Sequence, residues 1–275
     1  RGRPVLIEVP TDVLGEDFKG EIDYTPVYTT RSGPEPDAVK KAAAILMKAK
    51  RPVIYAGQGV HYAEAWPQLK ELALLMGSPV TTSLEGKSAF PEDHPLSLGS
   101  GGRSMPRTVH EFLQNSDVIF GIGCSFTTTN FGVTMPKGKT IVHATLDPTD
   151  LNKNVVSQYA LVGDAALTLD ALIAEMKAQG QMPPNTSAVE QEISNMKSAW
   201  LAEWRPKLTC PDAPLNPYRV LWDLANTVDR ANAIITHDAG SPRDQLSPFW
   251  EATTPLSYIG WGKTTQLGYG LGLAM

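Results

Sequence analysis

The 275-residue chain is 42% hydrophobic and 19% charged, enough apolar material for one large or two ordinary globular domains, which excludes a disordered chain. A net charge of −5, a pI near 5.6 and 24 scattered Lys and Arg residues leave no basic footprint for nucleic acid, and no apolar stretch is long enough to span a membrane as a helix. Cys124 and Cys210 are the only cysteines, too isolated for a disulfide framework or a zinc site, so a reducing, cytoplasmic setting is expected.

In chain order, Val5-Leu6-Ile7-Glu8-Val9 reads as a strand, and Pro10 to Pro36, polar and proline-containing, as a linker. The chain starts without Met directly before that strand and stops inside the helical-looking run GYGLGLAM, so both ends read as cut. From Asp37, Val39, Ala43, Leu46 and Met47 fall on one helical face, and the helix stops ahead of Arg51-Pro52 because a residue before proline disfavours helical backbone.

A regular alternation follows. It comprises strand Pro52–Ala56, helix Tyr62 to Met76, strand Pro79–Thr82, helix Arg107 to Gln114, strands Val118–Ile122 and Thr140–Leu146, and helix Asp164 to Met176. Short apolar strands alternating with amphipathic helices predict a doubly wound α/β domain with a parallel sheet over residues 37–179. Pro183-Pro184 opens a linker region, 180–217, that holds a helix from Val189 to Trp204 and a proline-rich turn from Pro206 to Pro217. A helix from Tyr218 to Val228 and the apolar run Ala233–Ile235 start a second, incomplete α/β unit over 218–275.

The candidate chemistry lies in turns. Gly57-Gln58-Gly59, between a strand and a helix, is a place where small residues let a phosphate approach backbone N–H groups, or an ordinary tight turn. Asp147 follows a strand, where a ribose or adenine is often held, or caps the turn Asp147-Pro148-Thr149-Asp150; the cap is favoured. Ala239-Gly240-Ser241 could turn its N–H groups and the Ser241 hydroxyl to a phosphate, or form a plain turn. Thr265-Gln266-Leu267 precedes a helical pattern, which places Leu267 either in a core or against a ligand. The five histidines are dispersed packing or surface residues, with only His237 close to a candidate loop. Trp200 and Trp204, at helical spacing, predict a buried face.

Several segments together carry a family resemblance. GRPVLIEVPTDV (2–13) resembles the closing strand of the pyrimidine-binding domain of thiamine-diphosphate enzymes. GKSAFPEDHPLSLGSGG (86–102), NSDVIFGIGCSF (115–126) and LDPTDLNKN (146–154) resemble the middle domain of acetolactate synthase large subunits. ITHDAGSPRDQLSPFW (235–250) and WGKTTQLGYGLGLAM (261–275) resemble the opening of the diphosphate-binding domain.

The resemblance implies a parent that decarboxylates a 2-oxo acid on thiamine diphosphate with magnesium, as a transferase or lyase, and that forms a homo-oligomer binding cofactor between subunits. It implies that Gly240 and Ser241 approach the diphosphate. It also implies that the Thr265 carbonyl and the Leu267 N–H meet the aminopyrimidine beside Gln266, with the Leu267 side chain propping the cofactor. The family's Gln-His pair in the first loop is Ser241-Pro242 here.

The activating glutamate is expected before Arg1 and the metal-binding Gly-Asp-Gly motif after Met275, so the chain alone is expected to be inactive. In this family the middle domain holds FAD, to which Gly57, Gly59, Gly102 and Asp147 would correspond. Its Met-His and Arg/Asp positions are Arg103-Ser104 and Ser125-Phe126-Thr127-Thr128 here, which leaves FAD open. The alternative is a non-catalytic nucleotide-binding and oligomerisation module. A sirtuin-type deacylase is disfavoured because its zinc site needs four cysteines.

Overall fold

The computed structural model describes residues 5–260 and 267–275, which fall into two units, Arg1–Thr30 and Arg31–Met275. In the first unit the regular element is the single-turn helix α1 (Thr11–Leu14). Val5–Val9 forms no strand, contrary to expectation. A strand is held by inter-strand N–H···O=C bonds, this segment has no ladder among the described residues, and Val5, Leu6 and Ile7 are more than 80% exposed.

The second unit is built on a six-stranded parallel sheet. Its elements run α2 (Pro36–Lys48), β1 (Pro52–Ala56), α3 (Gly59–Tyr62), α4 (Trp66–Met76), β2 (Val80–Thr82), β3 (Ser97–Ser100), α5 (Arg107–Asn115), β4 (Val118–Ile122), β5 (Thr140–Thr145), β6 (Tyr159–Val162) and α6 (Ala165–Ala178). The strand order is β3-β2-β1-β4-β5-β6, with Ile54 beside Phe120 and Phe120 beside Val142. Chain order reverses between β1 and β4, so the sheet is doubly wound, as predicted.

Both faces are covered, which is why the strands read as unbroken apolar runs. Ile54, Phe120 and Val142 pack against Leu46 of α2, Leu69 of α4 and Leu169 of α6. Their neighbours Val53, Ile119 and Ile141 point the other way, against Val109 and Phe112 of α5 and Ile193. The period of two along each strand thus divides the core into two layers.

Local chemistry sets the element ends. Glu35 caps α2 by accepting from the N–H groups of Asp37 and Ala38, and Asp164 caps α6 by accepting from Ala166 and Leu167. The expected single helix from Tyr62 to Met76 is two helices, because Glu64 adopts a positive φ of 52° and Pro67 starts a new first turn at α4. Residues 31–35, read as linker, are fastened to the sheet unit where Ser32 O accepts the Asp164 N–H at 2.8 Å.

Beyond the sheet lie α7 (Ser187–Leu208), α8 (Pro217–Thr227), β7 (Ile235–Thr236), α9 (Ser241–Leu246), β8 (Tyr258–Ile259) and α10 (Tyr269–Ala274). The helix α7 runs through Pro206, where the expected turn begins, because a proline in the last turn forfeits only one intrahelical bond. It packs on α5 and α8. Strands β7 and β8 pair in parallel, Ile235 beside Tyr258, as the start of a second α/β unit.

Candidate functional site

The candidate residues that are described fall into two groups. The first lies at the carboxyl edge of the large sheet. Gly57 and Gly59 follow β1, Gly102 follows β3 and Asp147 follows β5.

The glycine pair is required by backbone approach. A Cβ on Gly57 would lie 2.4 Å from Gly123 O, and one on Gly59 would lie 2.7 Å from Gly123 Cα. The Gly57 N–H donates to Ile122 O and the Gly59 N–H to Gly123 O, holding β1 against β4, while the Val60 N–H donates to Gly57 O and closes the turn itself. Gly102 is buried beside Phe131 and Leu84, with room for a methyl group. Asp147 takes the cap geometry: its Oδ1 accepts from the Thr149 N–H at 3.1 Å and the Thr149 hydroxyl at 2.8 Å.

The second group is built around β7. The chain leaves the strand through His237-Asp238-Ala239, turns at Gly240 with φ of 76° and enters α9 at Ser241. Gly240 and Ser241 are exposed, and among the described residues a Cβ on Gly240 would meet nothing within 4 Å.

Asp238, which the sequence reading did not single out, joins this turn to the next loop. Its carboxylate accepts from the Ala239 N–H at 2.9 Å and from the Gly268 N–H at 2.9 and 3.0 Å. Gly270 completes the seam, since a Cβ there would lie 2.8 Å from His237 C. Leu267, at the end of that loop, is 76% exposed and free of any core role. Thr265 and Gln266 lie outside the described residues.

His237 is packed rather than displayed. Its ring tilts on Tyr258 at 5.0 Å, Nδ1 meets Asp238 O at 2.9 Å, and burial pushes its pKa down, which favours the neutral ring. His143 is likewise inside, bonding Cys124 O at 2.8 Å beside Phe126. Trp200 and Trp204 are half-buried rather than the buried face expected, with Trp200 stacked on Phe249 at 4.9 Å.

A buried ionic network also escaped the sequence reading. Lys87 Nζ is ion-paired to Glu92 Oε2, and both side chains are less than 5% exposed. Glu92 Oε1 accepts from the Ser100 hydroxyl at 2.5 Å, Oε2 accepts from the Ala252 N–H at 2.8 Å, and Thr82 Oγ1 lies 3.0 Å from Ser100 Oγ. Lys87 Nζ also sits 5.1 Å over the Tyr258 ring. The network therefore links the edge of the sheet to the segment between α9 and β8. Lys87 and Glu92 are five residues apart in a loop, a spacing with no helical or strand signature.

The reversal of strand order and the crowded carboxyl edge define the class: a doubly wound α/β protein, in which ligands bind beyond the carboxyl ends of the strands. Residues 39–172 match, and belong to, the family described as thiamine pyrophosphate enzyme, central domain. The whole chain is similar to a probable acetolactate synthase large subunit of Methanocaldococcus jannaschii, at 32% identity, covering 100% of this chain and 48% of the relative. It is 28% identical to the acetolactate synthase isozyme 3 large subunit of Escherichia coli, over 100% of this chain and 49% of the relative.

Benzoylformate decarboxylase from Polynucleobacter necessarius shares the fold, with a TM-score of 0.68 at 22% identity over 94% of this chain and 45% of that one. The chain thus spans about half the length of the curated relatives it matches. Among the described residues, no helix is long and apolar enough to cross a membrane, and no group of three His, Cys, Asp or Glu is arranged to hold a metal ion.

Proposed function

We propose that this chain supplies the middle domain (37–179), a linker region (180–217) and the opening of the diphosphate-binding domain (218–275) of a thiamine-diphosphate-dependent enzyme. In this reading residues 1–36 close the pyrimidine-binding domain. The parent acts as a transferase or lyase on a 2-oxo acid, by analogy with the acetolactate synthase relatives, and works as a cytoplasmic homo-oligomer. The observation that carries it is the pair of loops fastened by Asp238, since it brings the Gly240–Ser241 turn beside Leu267, the two places the family resemblance assigns to one cofactor.

The residues fit that group. Among the described residues nothing crowds the turn at Gly240, which leaves room for a diphosphate, and Leu267 offers an exposed apolar side chain as a prop. Bound thiamine diphosphate supplies the electron sink for decarboxylation. This chain's own part is to orient: backbone N–H groups of the turn approach the diphosphate, while the Asp238 carboxylate holds both loops in register. Magnesium and the group that ionises the cofactor come from segments outside these 275 residues, and the chain alone is inactive.

The middle-domain residues fit FAD poorly. Three N–H groups of the Gly57–Val60 turn are spent on backbone carbonyls, and Asp147 caps its own turn, so no step is assigned to a flavin. The same observation weighs against the nucleotide-binding module as a second reading. Purified protein is expected to be colourless and to release no carbon dioxide from pyruvate. Stoichiometric flavin on denaturation would contradict the first expectation, and turnover above the rate of free cofactor the second.

A further inference from the structure

A cavity of about 180 Å³ lies between α7, α8 and the segment after α9, at the far end of α9 from the Gly240–Ser241 turn. Trp200, Trp222, Phe249 and Trp250 contribute to its wall, and the Lys87–Glu92–Ser100 network also lines it. A purely structural seam between helices does not need charged groups buried in it, because each costs several kcal/mol to desolvate.

The charges lining it do not cancel. Lys87 is matched by Glu92, and Arg230 by Glu251 at 3.1 Å. Lys197 of α7 is half-buried and donates only to the backbone carbonyl of Glu92 at 3.2 Å. The α7 positions three and four residues away are Ile193, Ser194, Trp200 and Leu201, none of them acidic. Among the described residues no carboxylate pairs with this ammonium, so it stands as a cation beside an aromatic wall.

We propose that this cavity binds a small carboxylate with an aromatic body, its carboxylate paired with Lys197 and its ring against Trp200, Trp222 and Phe249. The volume suits one ring with a short side chain. Aromatic walls favour a flat body over a branched aliphatic one, since offset or edge contacts between rings add to simple area burial. The single unmatched cation selects a monoanion, because a second negative charge would face Glu92 and Glu251. Separation from the Gly240 turn makes this a site independent of the cofactor reading.

Phenylacetate titrated into the 275-residue chain, followed by tryptophan fluorescence and by calorimetry, tests the assignment. Saturable one-to-one binding is expected, with phenylacetamide at least tenfold weaker. Lys197→Met should weaken phenylacetate at least tenfold while leaving the amide unchanged, and Trp222→Leu should weaken both. Circular dichroism checks that each variant folds, and the acid-against-amide comparison on the unaltered chain decides the matter if one does not. Absence of saturable binding, equal affinity for acid and amide, or an unchanged affinity in Lys197→Met would overturn the proposal.

Discussion

Glu92→Gln is expected to be among the most damaging near-isosteric substitutions in this protein. Three donors converge on the Glu92 carboxylate: the Lys87 ammonium, the Ser100 hydroxyl and the Ala252 N–H. An amide of the same size removes the charge that compensates Lys87 and turns an NH2 toward at least one donor. Breaking a buried pair from one side costs about 3–5 kcal/mol. The exposed pair Arg107–Glu203, bidentate at 2.9 and 2.7 Å, is the control, and Glu203→Gln should cost under ~1 kcal/mol.

Urea unfolding followed by tryptophan fluorescence measures both, because Trp250 is 2% exposed and borders the network. The pH dependence of Glu92→Gln has a definite sign. Burial pushes the Lys87 pKa down from 10.5, so the folded state binds fewer protons than the unfolded state, and stability rises as pH climbs toward 10.5. Removing Glu92 takes away the main influence opposing that shift, so the rise should begin at lower pH in the variant. A Lys87→Met/Glu92→Leu double variant should recover much of the loss, since an apolar replacement leaves no orphan charge. A loss in Glu92→Gln no larger than in Glu203→Gln would refute the reasoning.

Two further outcomes follow from the backbone. Gly57→Ala should lower stability by ~3 kcal/mol in thermal melts, because its Cβ would meet Gly123 O at 2.4 Å, whereas Gly102→Ala, whose nearest contacts begin at 3.5 Å, should change it by less than about 0.5 kcal/mol. Asp238→Ala should free the Gly268 amide, read as at least tenfold faster hydrogen exchange there with amides of β4 unchanged.

The large sheet was legible because its middle strands are long and buried on both faces. The expected bounds of β1 and β4 match the structure, and β5 differs by one residue. The strands that escaped notice carry weak local signals. Ser97-Leu98-Gly99-Ser100 has small residues where a strand usually has branched ones, and Tyr159–Val162 is four residues long with only Leu161 buried. The same limit governs the site. The turn at Gly240–Ser241 announced itself through glycine after an apolar run, whereas Asp238, Lys87 and Glu92 act through partners 30, 5 and up to 160 residues away. No spacing rule encodes such pairs; tertiary packing creates them.

On the function proposed above, these 275 residues hold one part of a thiamine-diphosphate site whose metal-binding and ionising groups lie in other segments. Calorimetric titration of thiamine diphosphate with magnesium measures it most directly, run on this chain and on the protein encoded by the full reading frame that contains it. A diphosphate needs its hard cation, and that cation needs carboxylate and amide oxygens that the Gly240 turn does not provide. No binding below about 1 mM is expected for this chain, near −4 kcal/mol, and micromolar binding, near −8 kcal/mol, for the longer protein. Micromolar binding by the chain alone, or none by the longer protein, would contradict it.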